Sequence, residues 1–136
     1  MRRFLIPAAI VFALVVLIAA TVYGPTIRGQ YRFYQLRTLI QTKPAPGQRE
    51  YRELSRVVDD IRRSGLASQA VPHVLLYCGD RSSHVRIHVW YVLLSLGPEA
   101  LAAVPHLRTI AADSSLPEAI RFDADGIADL LVSRHE

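Results

Sequence analysis

The sequence predicts an all-α chain in two parts, an N-terminal transmembrane helix and a short α-α superhelix of two helical hairpins behind a capping helix. Three observations predict it. Residues 4–23, FLIPAAIVFALVVLIAATVY, hold twenty consecutive uncharged positions, which as a helix would extend about 30 Å and match the hydrocarbon thickness of a bilayer. The tetrapeptide AVPH occurs at residues 70–73 and again at 103–106, thirty-three positions later. The residues downstream of each copy also correspond. A period in the thirties with two helical segments per unit marks an α-solenoid, in which each hairpin buries its apolar face against its neighbour.

The first element is expected to span the membrane once and to remain uncleaved. Pro7 falls in its first turn, where no backbone hydrogen bond is lost. Met1, Arg2 and Arg3 resemble the start of a secretory signal, but the apolar run exceeds the roughly 7 to 15 residues of a signal core. No small-x-small cleavage site follows either, because Ala20 has Ile18 two positions before it. The lone Cys78 is far from the span, which excludes a lipidated cysteine anchor there, and it has no partner for an internal disulfide. Basic residues flank the span on both sides, Arg2 and Arg3 before it and Arg28, Arg32, Arg37 and Lys43 after it, so charge selects no orientation.

The net charge of +4 is unevenly placed. Residues 24–64 carry nine Lys or Arg against four acids, and residues 65–136 carry five against eight. The basic character therefore belongs to the stretch next to the span. There Tyr31, Phe33 and Tyr34 alternate with Arg32 and Arg37, a mixture suited to the lipid headgroup layer, where amphipathic rings and snorkelling cations are both stabilised. Dispersed cations without a nucleic-acid module argue against nucleic acid as the partner.

Residues 43–48, KPAPGQ, end any helix continuing from the membrane. The expected division is a span at 1–23, a basic juxtamembrane helix and Pro/Gly linker at 24–47, and a helical domain at 48–136. Tyr51, Leu54, Val57, Val58 and Ile61 then make one helical face, with Ser64 and Gly65 ending the helix. In the repeat, Asp80 aligns with Asp113 at the same offset of thirty-three, and after two inserted residues Val85 and Arg86 align with Ile120 and Arg121. Each unit reads as helix, turn, helix. The expected core includes Val85, Val89, Val92, Leu93, Leu96, Val104, Leu107, Ile127 and Leu131.

The run AVPHVLLYCGDRSSHVRIHVWYVLLSLGPEALAAVPHL resembles the HEAT repeats, which carry a Pro in the first helix, an Asp at the turn, an aliphatic-Arg pair opening the second helix, and Leu-x-x-Gly-Pro-Glu between units. The likeness covers about residues 68–132, with Val132 replacing the unit-ending glycine. It implies that Pro72 and Pro105 bend or open their helices and that Asp80, Arg86, Asp113 and Arg121 form polar ladders between units. These are structural roles, through capping and fork-like ion pairing. The helix of residues 48–63 would cap one end, and the acidic last helix the other.

Chemistry-bearing residues are few. His84 and His88 share a helix face at i, i+4, a spacing that metal sites use, with His73 and Cys78 as further ligand candidates. No Glu lies between the two histidines as in a metalloprotease helix, and no third ligand is identified, so they are expected to be surface or partly packed side chains. Cys78 reads as a small hydrophobe. Asp123, Asp125 and Asp129 lack the glycine-centred loop of a calcium hand and read as a solvated face. The resemblance therefore implies a non-catalytic, cofactor-free scaffold that binds a protein partner at the bilayer. The alternative is an accessory of the phycobilin-lyase kind, handling a tetrapyrrole. The expected partner surface is Ile87, Tyr91 and Leu94, a second apolar stripe at i, i+4 and i+7 that either lies under a neighbouring helix or stays open.

Overall fold

A computed structural model describes residues 2–42 and 49–136, with side chains described for residues 10–42 and 51–136. The linker expected at 43–48 and the side chain of Pro7 lie outside the described residues. The elements are α1 (Arg2–Gln41), α2 (Arg49–Arg63), α3 (Ala67–Leu75), α4 (Ser83–Leu96), a 3-10 segment (Gly97–Ala103), α5 (Val104–Ala112) and α6 (Glu118–His135). Among the described residues there is no strand. Among the described residues the protein is all-helical, five helices following one long apolar helix, as the sequence predicts.

The chain divides into two units, residues 1–31 and residues 32–136. In the first, the large apolar side chains from Ile10 to Tyr23 are exposed on every side of the helix, an arrangement that water disfavours and lipid accepts. A second stretch, Ser83–Ala112, is also long and apolar enough to cross a membrane. Its large side chains lie mostly in the core of the second unit, and its path is broken at Gly97, where φ is +85° and Pro98 follows.

The second unit begins sixteen residues before the expected boundary at residue 48. Phe33, Leu36 and Ile40, spaced i, i+3 and i+7 on α1, are 3%, 0% and 0% exposed, so this turn of helix belongs to the hydrophobic core. Phe33 stacks on the His73 ring at 4.6 Å, which corrects its assignment to the lipid headgroup layer. Tyr31 and Tyr34 remain exposed.

In α2 the buried face is Leu54, Val58 and Ile61, with Arg52, Glu53, Arg56 and Asp60 turned outward. The helix ends where the sequence predicts. The Leu66 amide donates to the Ile61 carbonyl and the Gly65 amide to Arg62, both at 3.0 Å, a Schellman closure that needs φ of +69° at Gly65 and hence a residue without a Cβ. Beyond it α3, α4, α5 and α6 supply the rest of the core. Eight of the nine expected core residues are buried; Val104, at the first turn of α5, is half-buried. The two AVPH copies fold differently: Pro72 lies inside α3, whereas Pro105 occupies the first turn of α5. The preceding Gly97–Pro98 pair forces the 3-10 path that delays the second helix.

Candidate functional site

The sequence places its partner surface on α4, which packs against α2, α3, the 3-10 segment and α6. Between Ser83 and Leu96 it has no Gly or Pro, and its buried residues, among them Val85, His88, Val89, Val92 and Leu93, cover more than one face. The stripe Ile87, Tyr91, Leu94 is divided by this packing. Ile87 is 47% exposed. Tyr91 and Leu94 are half-buried and rest on the core. Tyr51 on α2 meets the Tyr91 ring edge-on, 5.7 Å between centroids at 66°. Helix α2 thus covers the middle of the stripe and leaves its first residue open. Tyr51, Arg52, Ser55, Arg56 and Tyr91 line a shallow depression of about 430 Å³ beside it.

His88 lies one helical position from Ile87 and is 3% exposed. Its Nδ1 is 3.0 Å from the Ile40 carbonyl oxygen. A carbonyl only accepts, so Nδ1 carries the proton and donates, which ties α4 to the last turns of α1. The Tyr51 ring approaches the imidazole edge-on at 5.8 Å. His84 is exposed, so the i, i+4 pair does not converge with further donors; among the described residues no three His, Cys, Asp or Glu cluster as metal ligands. Burial pushes the Cys78 thiol up to about 12, and its Sγ lies 3.9 Å from the Val74 carbonyl. A thiol held so far above neutral pH carries almost no thiolate and is a poor nucleophile.

The repeat residues form a polar framework. Asp80 accepts the Ser82 amide at 2.8 Å and Asp113 accepts the Ser115 amide at 2.9 Å, the same turn in both units. The Ser115 hydroxyl also donates to Asp113 at 2.6 Å; these two bonds hold its carboxyl below the usual carboxylate range. Both carboxylates close the loop two residues on and leave the helix N-termini uncapped by side chains. Arg86 is 7% exposed. Its Nε donates to Asp123 of α6 at 2.7 Å, and one terminal nitrogen donates to the carbonyls of Asp80 and Arg81 at 2.8 and 3.0 Å. The side chain of Arg86 therefore meets Asp123, and it meets Asp80 only through the backbone. Arg121, its counterpart, has a buried Nε without a partner among the described residues.

Three assignments that the sequence left out follow from this geometry. Asp123 is the acceptor for a buried arginine, and Asp125 and Asp129 are both bridged by Arg108, so the acidic set on α6 is only partly a solvated face. His88 is a tether between helices. Phe33, Leu36 and Ile40 are core, and their i, i+3, i+7 spacing next to the aromatic-basic run was the signal that could have shown it. No protein-family model, no curated protein and no solved structure matches the chain.

Proposed function

We propose that the protein is a membrane-anchored, non-catalytic scaffold whose helical unit, built on HEAT-like hairpins, presents a surface to a protein partner. The observation that carries this reading is the exposed, uncharged wall of α1 from Ile10 to Tyr23 joined in one chain to a folded unit with its own core. Exposed apolar surface of that extent is disfavoured in water and stabilised in lipid. Arg28, Tyr31 and Tyr34 follow at the position where the headgroup layer would lie.

The polar side chains support a scaffold because they are committed to structure: Arg86 to Asp123, His88 to Ile40 and Cys78 to the core. The HEAT-like reading is supported by the repeated Asp80 and Asp113 turns and by an arginine that reaches from one hairpin to the next. A tetrapyrrole role draws no comparable support, since His88 donates to a backbone carbonyl and His73 is stacked on Phe33. The partner surface centres on Ile87, with Tyr91 and Leu94 as its part-covered flank.

Alkaline carbonate extraction of membranes holding the full-length chain tests the anchor. The protein is expected in the pellet, and its recovery in the supernatant overturns the reading. Affinity capture from detergent-solubilised membranes, comparing the natural chain with Ile87→Asp, tests the surface. Loss of a defined partner with unchanged melting temperature is expected, and an identical set of captured proteins removes Ile87 from the interface.

A further inference from the structure

The depression between α2 and α4 differs in charge from three others in the helical unit. Tyr51, Arg52, Ser55, Arg56 and Tyr91 line it, two cations with no carboxylate. In each of the other three, two acids accompany the arginines, as Asp59 and Glu99 do beside Arg62 and Arg63. The ion pairs among the described residues are those of Arg86 with Asp123 and of Arg108 with Asp125 and Asp129. Neither Arg52 nor Arg56 takes part, although Arg56 also borders the groove that holds Glu53 and Asp60. Both side chains are exposed, and a guanidinium matches an incoming carboxylate with two parallel N–H donors.

The aromatic wall supplies the other half of the site. Tyr51 and Tyr91 hold each other edge-on at 5.7 Å, so both rings are ordered before anything binds. The exposed Ile87 stands one turn before Tyr91 on α4. Tyrosine and arginine around an apolar residue, with Lys and acids absent, is the composition of a protein interface centre.

Other anionic ligands fit less well. Arg32 donates to Ser64 at the end of α2, whereas the Ile40 carbonyl accepts from His88, which Tyr51 approaches edge-on. The depression therefore lies toward Ile40, eight residues further along α1 from the apolar run than Arg32. That is about 12 Å of helix rise, beyond the screening length of about 8 Å at physiological salt, so a headgroup that attracts Arg32 pulls weakly here. Two cations beside residues 65–136, with eight acids against five Lys or Arg, make no nucleic-acid stripe.

We propose that this depression binds an acidic segment of the protein partner, with carboxylates for Arg52 and Arg56 and an apolar side chain that packs on Ile87 and the Tyr91 ring. The two arginines are four positions apart on α2, so acids roughly 6 Å apart, as at i and i+4 of a helix, meet both. The proposal rests on the scaffold reading in one respect, since its apolar half is the Ile87 surface of that reading.

Random twelve-residue peptides displayed on phage, selected on the full-length chain in phosphatidylcholine nanodiscs after depletion on empty discs, test the site. The selected peptides are expected to be enriched in Asp and Glu beside an aliphatic or aromatic residue. Affinity for the leading peptide is expected to fall about tenfold in Arg52→Ala with Arg56→Ala, and to weaken as salt rises from about 50 to 500 mM. Arg62→Ala with Arg63→Ala removes the same charge from the exposed last turn of α2, outside the depression, and should leave affinity unchanged. Circular dichroism checks that both pairs keep the fold. No enrichment, peptides without an acidic excess, or equal losses from the two pairs overturn the proposal. Tighter binding of a single-stranded oligonucleotide, or of short-chain phosphatidylglycerol, assigns the arginines to that ligand and overturns it as well. Ile87→Ser separates the two readings. Peptides lost with Ile87→Ser yet indifferent to Arg52 and Arg56 keep the apolar surface and overturn the acidic partner. Acidic peptides that need the arginines but bind Ile87→Ser unchanged support the acidic partner and remove Ile87 from the surface.

Discussion

The helix pairs α3–α4 and α5–α6 share an Asp turn and an aligned arginine yet differ in what surrounds them. In α3–α4 the arginine is satisfied by Asp123 of α6, and the outward face of α4 is partly covered by α2. In α5–α6 the aligned arginine has an unpartnered Nε among the described residues, and the aligned face carries the exposed Phe122 and Gly126. The same residue at the same register thus has different energetic consequences. A guanidinium stabilises when a neighbour supplies its acceptor, and costs desolvation when none does.

The core is where the two helix pairs should behave alike. Leu96 and Leu131 are aligned by the same offset as Arg86 and Arg121, and both are 0% exposed. Leu96→Ala, Leu131→Ala and the central Leu93→Ala are each expected to lower stability by about 2–5 kcal/mol in urea unfolding, the range for a buried leucine. If Leu131→Ala were nearly neutral, the second pair would not share the core packing of the first. The arginines should separate the pairs next. Arg86→Met leaves Asp123 without its partner and should cost about 3 kcal/mol, the low end for a buried pair because the Asp123 side chain keeps 28% exposure. Arg121→Met removes an unsatisfied donor and should change stability by less than about 1 kcal/mol, in either direction. Equal losses at both positions would break the distinction.

A smaller effect sharpens the account of the outward faces. Alanine at Tyr51 and Tyr91, singly and together, should give a coupling of about 0.5–1.5 kcal/mol, the range for an edge-to-face aromatic pair. Zero coupling would mean that α2 does not hold Tyr91 in place. The smallest effect is expected at His73. Desolvation, and then the nearby Arg37, hold its imidazole below its ordinary value of 6.5. Well above pH 6.5 the ring is neutral in both states and contributes no slope. As pH falls through 6.5 the unfolded chain takes up the proton first, so stability declines from there down to the lowered native value. Unfolding curves collected from pH 7.5 to 5.0 should show that decline, and His73→Phe, which keeps a ring against Phe33, should reduce it. An unchanged slope would assign the acid sensitivity to other groups.

The sequence by itself determined the helical class, because residue period and composition act locally. Twenty uncharged residues, the i, i+4, i+7 face of Leu54, Val58 and Ile61, and Gly65 at a helix stop each specify structure within a few turns. It also displayed the repeat and most of the core. Tertiary structure alone decided which polar and aromatic groups find partners. Asp123 is thirty-seven residues from Arg86, and Ile40 is forty-eight from His88; no local period connects positions so far apart. Phe33, Leu36 and Ile40 do carry a local helical period, but their aromatic-basic neighbourhood suits a lipid surface equally well until His73 of α3 and His88 of α4 meet them. The stripe Ile87, Tyr91, Leu94 shows the limit most plainly. Its spacing was legible, but exposure is a property of neighbours, and α2 covered one part of it while leaving Ile87 in solvent.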